Sequence, residues 1–398
     1  MKPVLQGLRV LDLTHVLAGP FAGYQLAVMG AEVIKIESPE EPDQARYQGS
    51  DAALNDAGMG TAFLSQASNK KSLALNLKTE GGREALKRLA AQWADVFVEN
   101  YRPGAFRNLG LGYEDLARLN PKLIYVSMTA FGQDGPRGPQ MAYDHAIQAT
   151  SGITASTGTE SSGPIKAGAP VIDYATGTMG AFAMAAALFQ RTRTGKGQYV
   201  DMAMLDVALI LQASHITDSL HSGYRPRRRG LWHRYSPSRG YETKDGIAQL
   251  AASNGRQHRR FYEAIGEFDD ARHTDYAGRN TGTEAKAEKI AAKMKEKTAA
   301  EWEDYLQARH VPAARVRELH EALADPHLKS RGVLHTHAEV PGVGKGVTVP
   351  LAAFKFAHGG PSIDRPPARL GEHTDEVLKQ IGYDADQIAA LREAGAVR

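Results

Sequence analysis

From Leu8 onward, short apolar runs alternate with longer segments in which apolar residues recur every three or four positions. The run Leu8-Arg9-Val10-Leu11-Asp12-Leu13 predicts a strand, Phe21 to Met29 a helix, and Glu32-Val33-Ile34-Lys35-Ile36-Glu37 a second strand. Short apolar or β-branched runs suit buried strands, whereas a period near 3.6 suits a helix. The alternation continues with a strand over Ser72 to Leu77, a helix over Glu80 to Trp93 and a strand over Asp95 to Glu99. A helix over Tyr113 to Leu119 and a strand over Leu123 to Met128 follow. Strand–helix–strand units with short connections predict an α/β fold, a Rossmann-like, mostly parallel sheet under helical cover. Ligands of such sheets bind in the loops at the carboxyl ends of the strands, so those loops are where chemistry is sought.

Tyr199 to Met202 predicts a further strand and Leu205 to Ala213 a helix, after which Ser222 to Gly240 is rich in Gly, Pro and Arg and marks a junction. Beyond it, Gly246 to Ala252 suits a strand, and Gln257 to Ile265 and Ala285 to Ala308 suit helices, the last heavily charged and solvent-facing. This is the pattern of a smaller α+β domain. Gly371-Glu372-His373-Thr374 then introduces a capped helix over Asp375 to Ile381, with a last helix over Ala385 to Ala394. The expected division is a large α/β domain over 1–222, completed by the segment from about 330 to 398, with a linker and small domain over 223–329.

Composition narrows the chemistry. At 398 residues, two compact units are expected. No run comes near the roughly 20 apolar residues that cross a bilayer, so no membrane partner is expected. Met1-Lys2-Pro3-Val4-Leu5 has no apolar signal core, so a cytoplasmic location is expected. The absence of cysteine excludes disulfides, thiolate metal sites and a cysteine nucleophile. A net charge of +3 argues against nucleic acid as a partner, and Arg225-Pro226-Arg227-Arg228-Arg229 suits an exposed linker. His327, His335 and His337 lack a carboxylate at helical spacing, and strand alternation explains the last two, so no metal site is expected. No G-x-S-x-G elbow is present.

Two segments invite a chemical reading. The loop from His15 to Gly23 lies where a dinucleotide would sit, and Glu37 ends the next strand where a ribose-binding acid would lie. Its glycines fall as G-P-F-A-G rather than G-x-G-x-x-G, which argues against a nicotinamide oxidoreductase. In the second segment, Asp173 stands between the strand-like Val171-Ile172 and a long run of small residues from Thr176 to Leu188. It reads either as a helix N-cap or as a nucleophile kept charged by the helix amino end. Gly168, Ala169, Gly177 and Gly180 would let a bulky substrate approach the backbone.

The chain resembles the family III CoA-transferases of the CaiB/BaiF type. The matching segments are L-x-G-L-R-V-L-D-L-T from Leu5, H-V-L-A-G-P from His15, G-A-E-V-I-K-I-E from Gly30 and N-K-K-S-L-A-L-N-L-K from Asn69. D-V-F-V-E-N-Y-R-P-G from Asp95, L-N-P-K-L-I-Y-V-S from Leu119, R-T-G-K-G-Q from Arg193 and L-G-E-H-T-D-E-V-L from Leu370 follow. The resemblance implies transfer of coenzyme A between carboxylic acids, with Asp173 carrying first a mixed anhydride and then a CoA thioester. No tightly bound cofactor is implied, since CoA is substrate and product. CoA would contact Leu17 and Ala18, then Leu75, Asn76, Leu77 and Lys78, then Asn100, Tyr101 and Arg102, with Lys78 and Arg102 on its phosphates. Tyr143 and Asp144 would lie beside the acyl group. Racemases of the superfamily have His where this chain has Tyr143, with His145 on the other side of Asp144, so transferase chemistry is implied over epimerisation of a CoA ester. A glycine flap is matched only by Ser253-Asn254-Gly255, oxalate specificity is not implied because Leu17 replaces a usual Gln, and Arg107-Asn108-Leu109-Gly110 is shifted from the usual pattern. The family also implies an interlocked homodimer; the sequence does not name the donor or acceptor acid, and short dicarboxylic acyl groups are the expectation.

Overall fold

The computed structural model describes residues 2–232, 237–272 and 283–398. Residues 233–236, within the expected linker, and 273–282, within the expected small domain, lie outside the described residues. The chain forms two compact units: Met1–Thr154, Lys166–Arg225 and His327–Arg398 make the larger, and Ala155–Ile165 with Pro226–Pro326 the smaller.

Six strands of the larger unit form one parallel sheet: β1 (Arg9–Leu13), β2 (Glu32–Glu37), β3 (Lys70–Ala74), β4 (Val96–Glu99), β5 (Ile124–Thr129) and β6 (Gln198–Ala203). Their order is β3-β2-β1-β4-β5-β6, so the winding reverses between β1 and β4. The helices that position the site are α1 (Ala18–Val28), α2 (Glu80–Gln92), α3 (Tyr113–Leu119), α4 (Asp144–Thr150), α5 (Val171–Thr194), α6 (Thr374–Gln380) and α7 (Ala385–Glu393). Successive strand residues point to opposite faces. Leu11, Leu13, Ile34, Ile36, Phe97 and Tyr125 therefore share one core with Leu86 and Leu89 of α2 and Leu116 of α3. Val10, Val33, Val96, Val98 and Val126 form the opposite core with Ala22 and Leu26 of α1 and Met184 of α5. Both faces are covered, which is why the strands read as continuous apolar runs.

Several element boundaries differ from the sequence expectation, and at β3, α1 and α5 the physical reason is plain. β3 begins at Lys70 rather than Ser72, because its two lysines are buried in ion pairs. Lys70 Nζ lies 2.8 Å from Asp12 Oδ2 and donates to the Pro20 carbonyl at 2.7 Å, while Lys71 pairs with Glu32 at 2.6 Å and Glu376 at 2.8 Å. A paired charge is tolerated where a lone one is not. Leu75 to Lys78 thus follow the strand. Leu75 bridges Val397, and the Asn76 N–H donates to the Ala396 carbonyl at 2.8 Å, so α6, α7 and the final residues complete the core around Val377, Leu378 and Ile388.

α1 begins at Ala18, not Phe21, which places the G-P-F-A-G segment inside the helix. Pro20 sits in the first turn, where no N–H is required. Gly23 is glycine because α1 lies on β1: a Cβ there would stand 2.7 Å from Asp12 Oδ2. Glu37 is sealed in a two-pronged pair with Arg46, at 2.7 Å to Nε and 2.7 Å to Nη2. Both features that suggested a dinucleotide are therefore structural.

α5 starts at Val171, so Val171 and Ile172 are its first turn and not a strand end. By length and composition alone this helix would suffice to cross a membrane, contrary to the expectation that no segment comes near that length. One face is buried through Asp173, Gly177, Gly180 and Met184, while Phe182 and Phe189 point outward, 66% and 60% exposed.

In the smaller unit, Gly240–Glu242, Ile247–Leu250 and Ala313–Arg315 form an antiparallel sheet with Ile247–Leu250 at its centre. The segment expected as one helix from Ala285 to Ala308 is two, Thr283–Met294 and Ala299–Gln307, because Thr298 and Glu301 form a capping box that starts a second one. Trp302, Phe261 and Tyr262 fill this unit's core. Ala155–Ile165, expected in the large domain, belongs here, its Gly158 carbonyl accepting from the Gly230 N–H at 2.6 Å.

Candidate active site

The loops after β1 and β4 meet where the strand order reverses, the usual ligand crevice of such sheets. Asn100, just past β4, clamps the first loop from both sides: Oδ1 accepts from the His15 N–H at 2.8 Å, and Nδ2 donates to the His15 carbonyl at 2.9 Å. The Val16 N–H donates to Asp43 Oδ1 at 2.9 Å, the Val16 carbonyl accepts from Gln66 Nε2, and Lys35 Nζ donates to the Thr14 carbonyl at 2.7 Å. These bonds hold Val16 at φ +69°, a conformation that costs a β-branched residue about 1–3 kcal/mol. His15 Nε2 lies 2.8 Å from the Tyr101 hydroxyl, and burial, with the Lys35 ammonium, holds the imidazole below its ordinary pKa. The loop is held in a strained conformation by its hydrogen bonds.

Beside it opens a cavity of about 460 Å³ lined by Leu17, Ala18, Asn100, Tyr101 and Arg102, with Tyr143 and Asp173 across from them. No side chain caps the amino end of α1 here, so its first N–H groups lack an intrahelical partner. The expected contacts Leu75, Asn76, Leu77 and Lys78 do not line this cavity. Leu75 is buried in the core, the Asn76 side chain bonds to the Gly395 carbonyl at 3.3 Å, and Leu77 packs on the core edge. Lys78 is exposed and shared between Glu40 at 3.4 Å and Glu41 at 3.8 Å, whereas Arg102 is exposed and has no ion pair among the described residues.

A second cavity, about 370 Å³, shares Val16, Tyr143 and Asp173 with the first and extends to Gln44, His145 and Lys166. Asp173 thus stands where the two meet. A larger hollow of about 530 Å³ lies at the opposite edge of the sheet, but its carboxylate, Asp95, is spent on Arg191 at 2.8 Å.

Asp173 is not the N-cap of α5; Pro170 holds that position, and Asp173 lies in the first turn. The capping is done at a distance by Asp144, whose Oδ2 accepts from the N–H groups of Ile172 at 2.7 Å and Asp173 at 3.1 Å. Asp144 Oδ1 accepts from Gln148 Nε2 at 2.5 Å, and Gln148 Oε1 accepts from the Ala167 N–H at 2.9 Å. Asp144 was expected to touch the acyl group. It lines the second cavity, and its buried carboxylate also orders the helix that carries Asp173. Burial, reinforced by the Asp144 charge, raises the Asp173 pKa from 3.8 to about 7. This outweighs the helix amino end, which was expected to keep the group charged.

Asp173 can approach the first loop because α5 has no side chain one turn later. A Cβ at Gly177 would stand 2.6 Å from the Ala18 carbonyl oxygen and 3.0 Å from Phe21. Gly177→Ala is expected to lower kcat/KM by about 10–100-fold and stability by about 1–3 kcal/mol. Since alanine ordinarily stabilises a helix interior by roughly 0.5–1 kcal/mol, a rise in Tm would disprove the close approach.

His145, set aside in the sequence, does line the second cavity with Asp173. Gly255 belongs to the smaller unit and opens the helix Gly255–Ile265 behind a capping box of Asn254 and Gln257. Val16, Asp43, Gln66 and Gln148 went unnoticed in the sequence. Only Val16 carried a signal, its place in the H-V-L-A-G-P segment.

The family model "CoA-transferase family III" matches residues 5–374. The succinyl-CoA:glutarate CoA-transferase of Homo sapiens is 35% identical, over 100% of this chain and 90% of that protein. The succinate–glutarate CoA-transferase of Agrobacterium fabrum is 37% identical over 96% of each. Among solved structures, a CaiB/BaiF family protein from Brucella suis matches with a TM-score of 0.81 and 30% identity, over 96% of this chain and all of that one. Matched along nearly its whole length by the family model and by enzymes named for transferring CoA to carboxylic acids, the chain belongs to the family III CoA-transferases.

Proposed function

We propose that this enzyme moves CoA from an acyl-CoA donor to a carboxylic acid through two covalent intermediates on Asp173. The observation that carries the reading is the position of Asp173, a carboxylate 8% exposed at the junction of two cavities on the carboxyl edge of the sheet. The Asp173 carboxylate attacks the donor thioester, forming a mixed anhydride and releasing CoA thiolate. The thiolate attacks the aspartyl carbonyl, expelling the donor acid as its carboxylate and leaving an aspartyl-CoA thioester. The acceptor carboxylate then attacks that thioester, giving a second anhydride and thiolate. Attack of the thiolate on the acceptor acyl carbon frees Asp173 and the new acyl-CoA. Every step exchanges one activated acyl bond for another. The free N–H groups at the amino end of α1 are suited to stabilise the tetrahedral oxyanions.

CoA lies in the first cavity along Leu17, Ala18, Asn100 and Tyr101, with Arg102 on a phosphate. Lys78 joins it by exchanging Glu40 and Glu41 for the phosphate. The similar enzymes named for succinyl-CoA and glutarate support short dicarboxylic acids as substrates. The outward Phe182 and Phe189 on α5 support a second copy of the chain as their cover.

Incubation with succinyl-CoA and a panel of carboxylates is expected to yield new CoA esters by mass spectrometry, and hydroxylamine trapping to give an aspartyl hydroxamate at Asp173. Solvent deuterium entering the α-carbon of one CoA ester, without any acceptor acid, would instead point to proton exchange between Asp173 and His145.

A further inference from the structure

Resting on the CoA-transfer reading, we propose that Lys166 is a specificity-determining residue that reads the far carboxylate of a dicarboxylic acid while the near carboxylate reacts at Asp173. Asp173 and Lys166 both line the second cavity. With CoA occupying the cavity beside Leu17 and Tyr101, the second is the one left for the carbon chain of the acid.

Charge makes the case specific. Asp173 and Asp144 already place two carboxyl groups at this end of the site, so a dianion entering there is repelled unless a cation receives it. Lys35, Lys70 and Lys71 of the same unit are all buried against acidic partners. Lys166 is exposed, makes no ion pair among the described residues, and donates only to the carbonyl of its neighbour Ala167, at 3.2 Å. Its charge is available to a ligand.

Its backbone is not free to wander. The Ala167 N–H is held by Gln148, Gln148 is held by Asp144, and Asp144 caps the turn that carries Asp173. One hydrogen-bonded chain therefore anchors the backbone beside Lys166 to the turn that carries the nucleophile, so the ammonium reaches from a fixed point. Gln44, whose amide donates to the Tyr143 hydroxyl at 3.4 Å, supplies a neutral donor in the same cavity. A monocarboxylic acid of equal length would leave the ammonium without its partner, which is how a polar site rejects an apolar analogue.

The test compares glutarate with pentanoate, equal in chain length and differing by one carboxylate, using succinyl-CoA as donor and purified full-length protein. For the parent enzyme, kcat/KM should favour glutarate. In Lys166→Met the glutarate-to-pentanoate ratio should fall by about 10–100-fold, chiefly through the KM for glutarate, the loss expected for one charge-assisted contact. Lys166→Arg should restore most of it. A ratio within twofold of the parent in Lys166→Met, or an equal loss for both acids, overturns the assignment while leaving CoA transfer standing. Absence of transfer to either acid by the parent enzyme overturns both.

Discussion

Replacing Asp173 by asparagine is expected to lower kcat for CoA transfer by about 10⁴-fold or more while leaving the protein folded. The substitution keeps shape and polarity but cannot form an acyl anhydride. It should also stabilise the protein, and the pH dependence of that gain identifies the cause. The folded-state pKa of Asp173 is raised to about 7 from 3.8, so ionisation opposes folding. The penalty is absent below about pH 4, grows as pH rises, and is complete above about pH 7. The asparagine variant should therefore exceed the parent by about 4 kcal/mol at pH 8, with little difference at pH 4. Thermal unfolding at the two pH values measures this. An enzyme that turned over at the parent rate with asparagine at 173 would remove the basis for the mechanism.

The second large effect is expected at Asp144. Asp144→Ala strips the acceptor from two buried N–H groups at the start of α5 and should cost about 2 kcal/mol in stability and about 100-fold in kcat/KM. Asp144→Asn separates the two functions of this carboxylate. It retains an acceptor for the helix but removes the negative charge that helps raise the Asp173 pKa. With that charge gone, Asp173 ionises more readily, and the acid limb of the kcat/KM profile, near pH 7 in the parent, should move about one unit lower. A purely structural role would reduce activity without moving the limb.

The sequence made much of this site legible, and what it hid has a common cause. The β1–α1–β2 unit, the parallel sheet and the clustering of Leu17, Ala18, Asn100, Tyr101, Arg102, Tyr143 and Asp173 followed from apolar periodicity and from family motifs. The start of β3 did not, because Lys70 and Lys71 look like loop residues until Asp12 and Glu32 are known to be opposite them. The start of α5 was misplaced because Val171 and Ile172 have strand-like side chains, and the group that makes them helical is Asp144, 28 residues upstream of Ile172. Asp144 itself carried no local sign of capping, since caps are sought next to the helix they serve. Glu37 looked available for a ribose only because Arg46, nine residues on, is invisible as a partner in one dimension. Short-range pattern shows which elements exist; buried charge pairing, set by distant residues, decides where they begin.

The return of the carboxyl-terminal residues to the end of β3 bears on how the molecule is made. The Ala74 N–H finds its partner Thr374 300 residues later, and Leu75 waits for Val397. At translation rates of roughly 5–20 residues per second, about 15–60 s pass between the ribosome's delivery of one and the other. During that interval the hydrophobic surface beneath α6 and α7 is uncovered, so nascent chains stalled before residue 374 should be strong clients of a holdase chaperone, and release of the finished polypeptide should end that dependence.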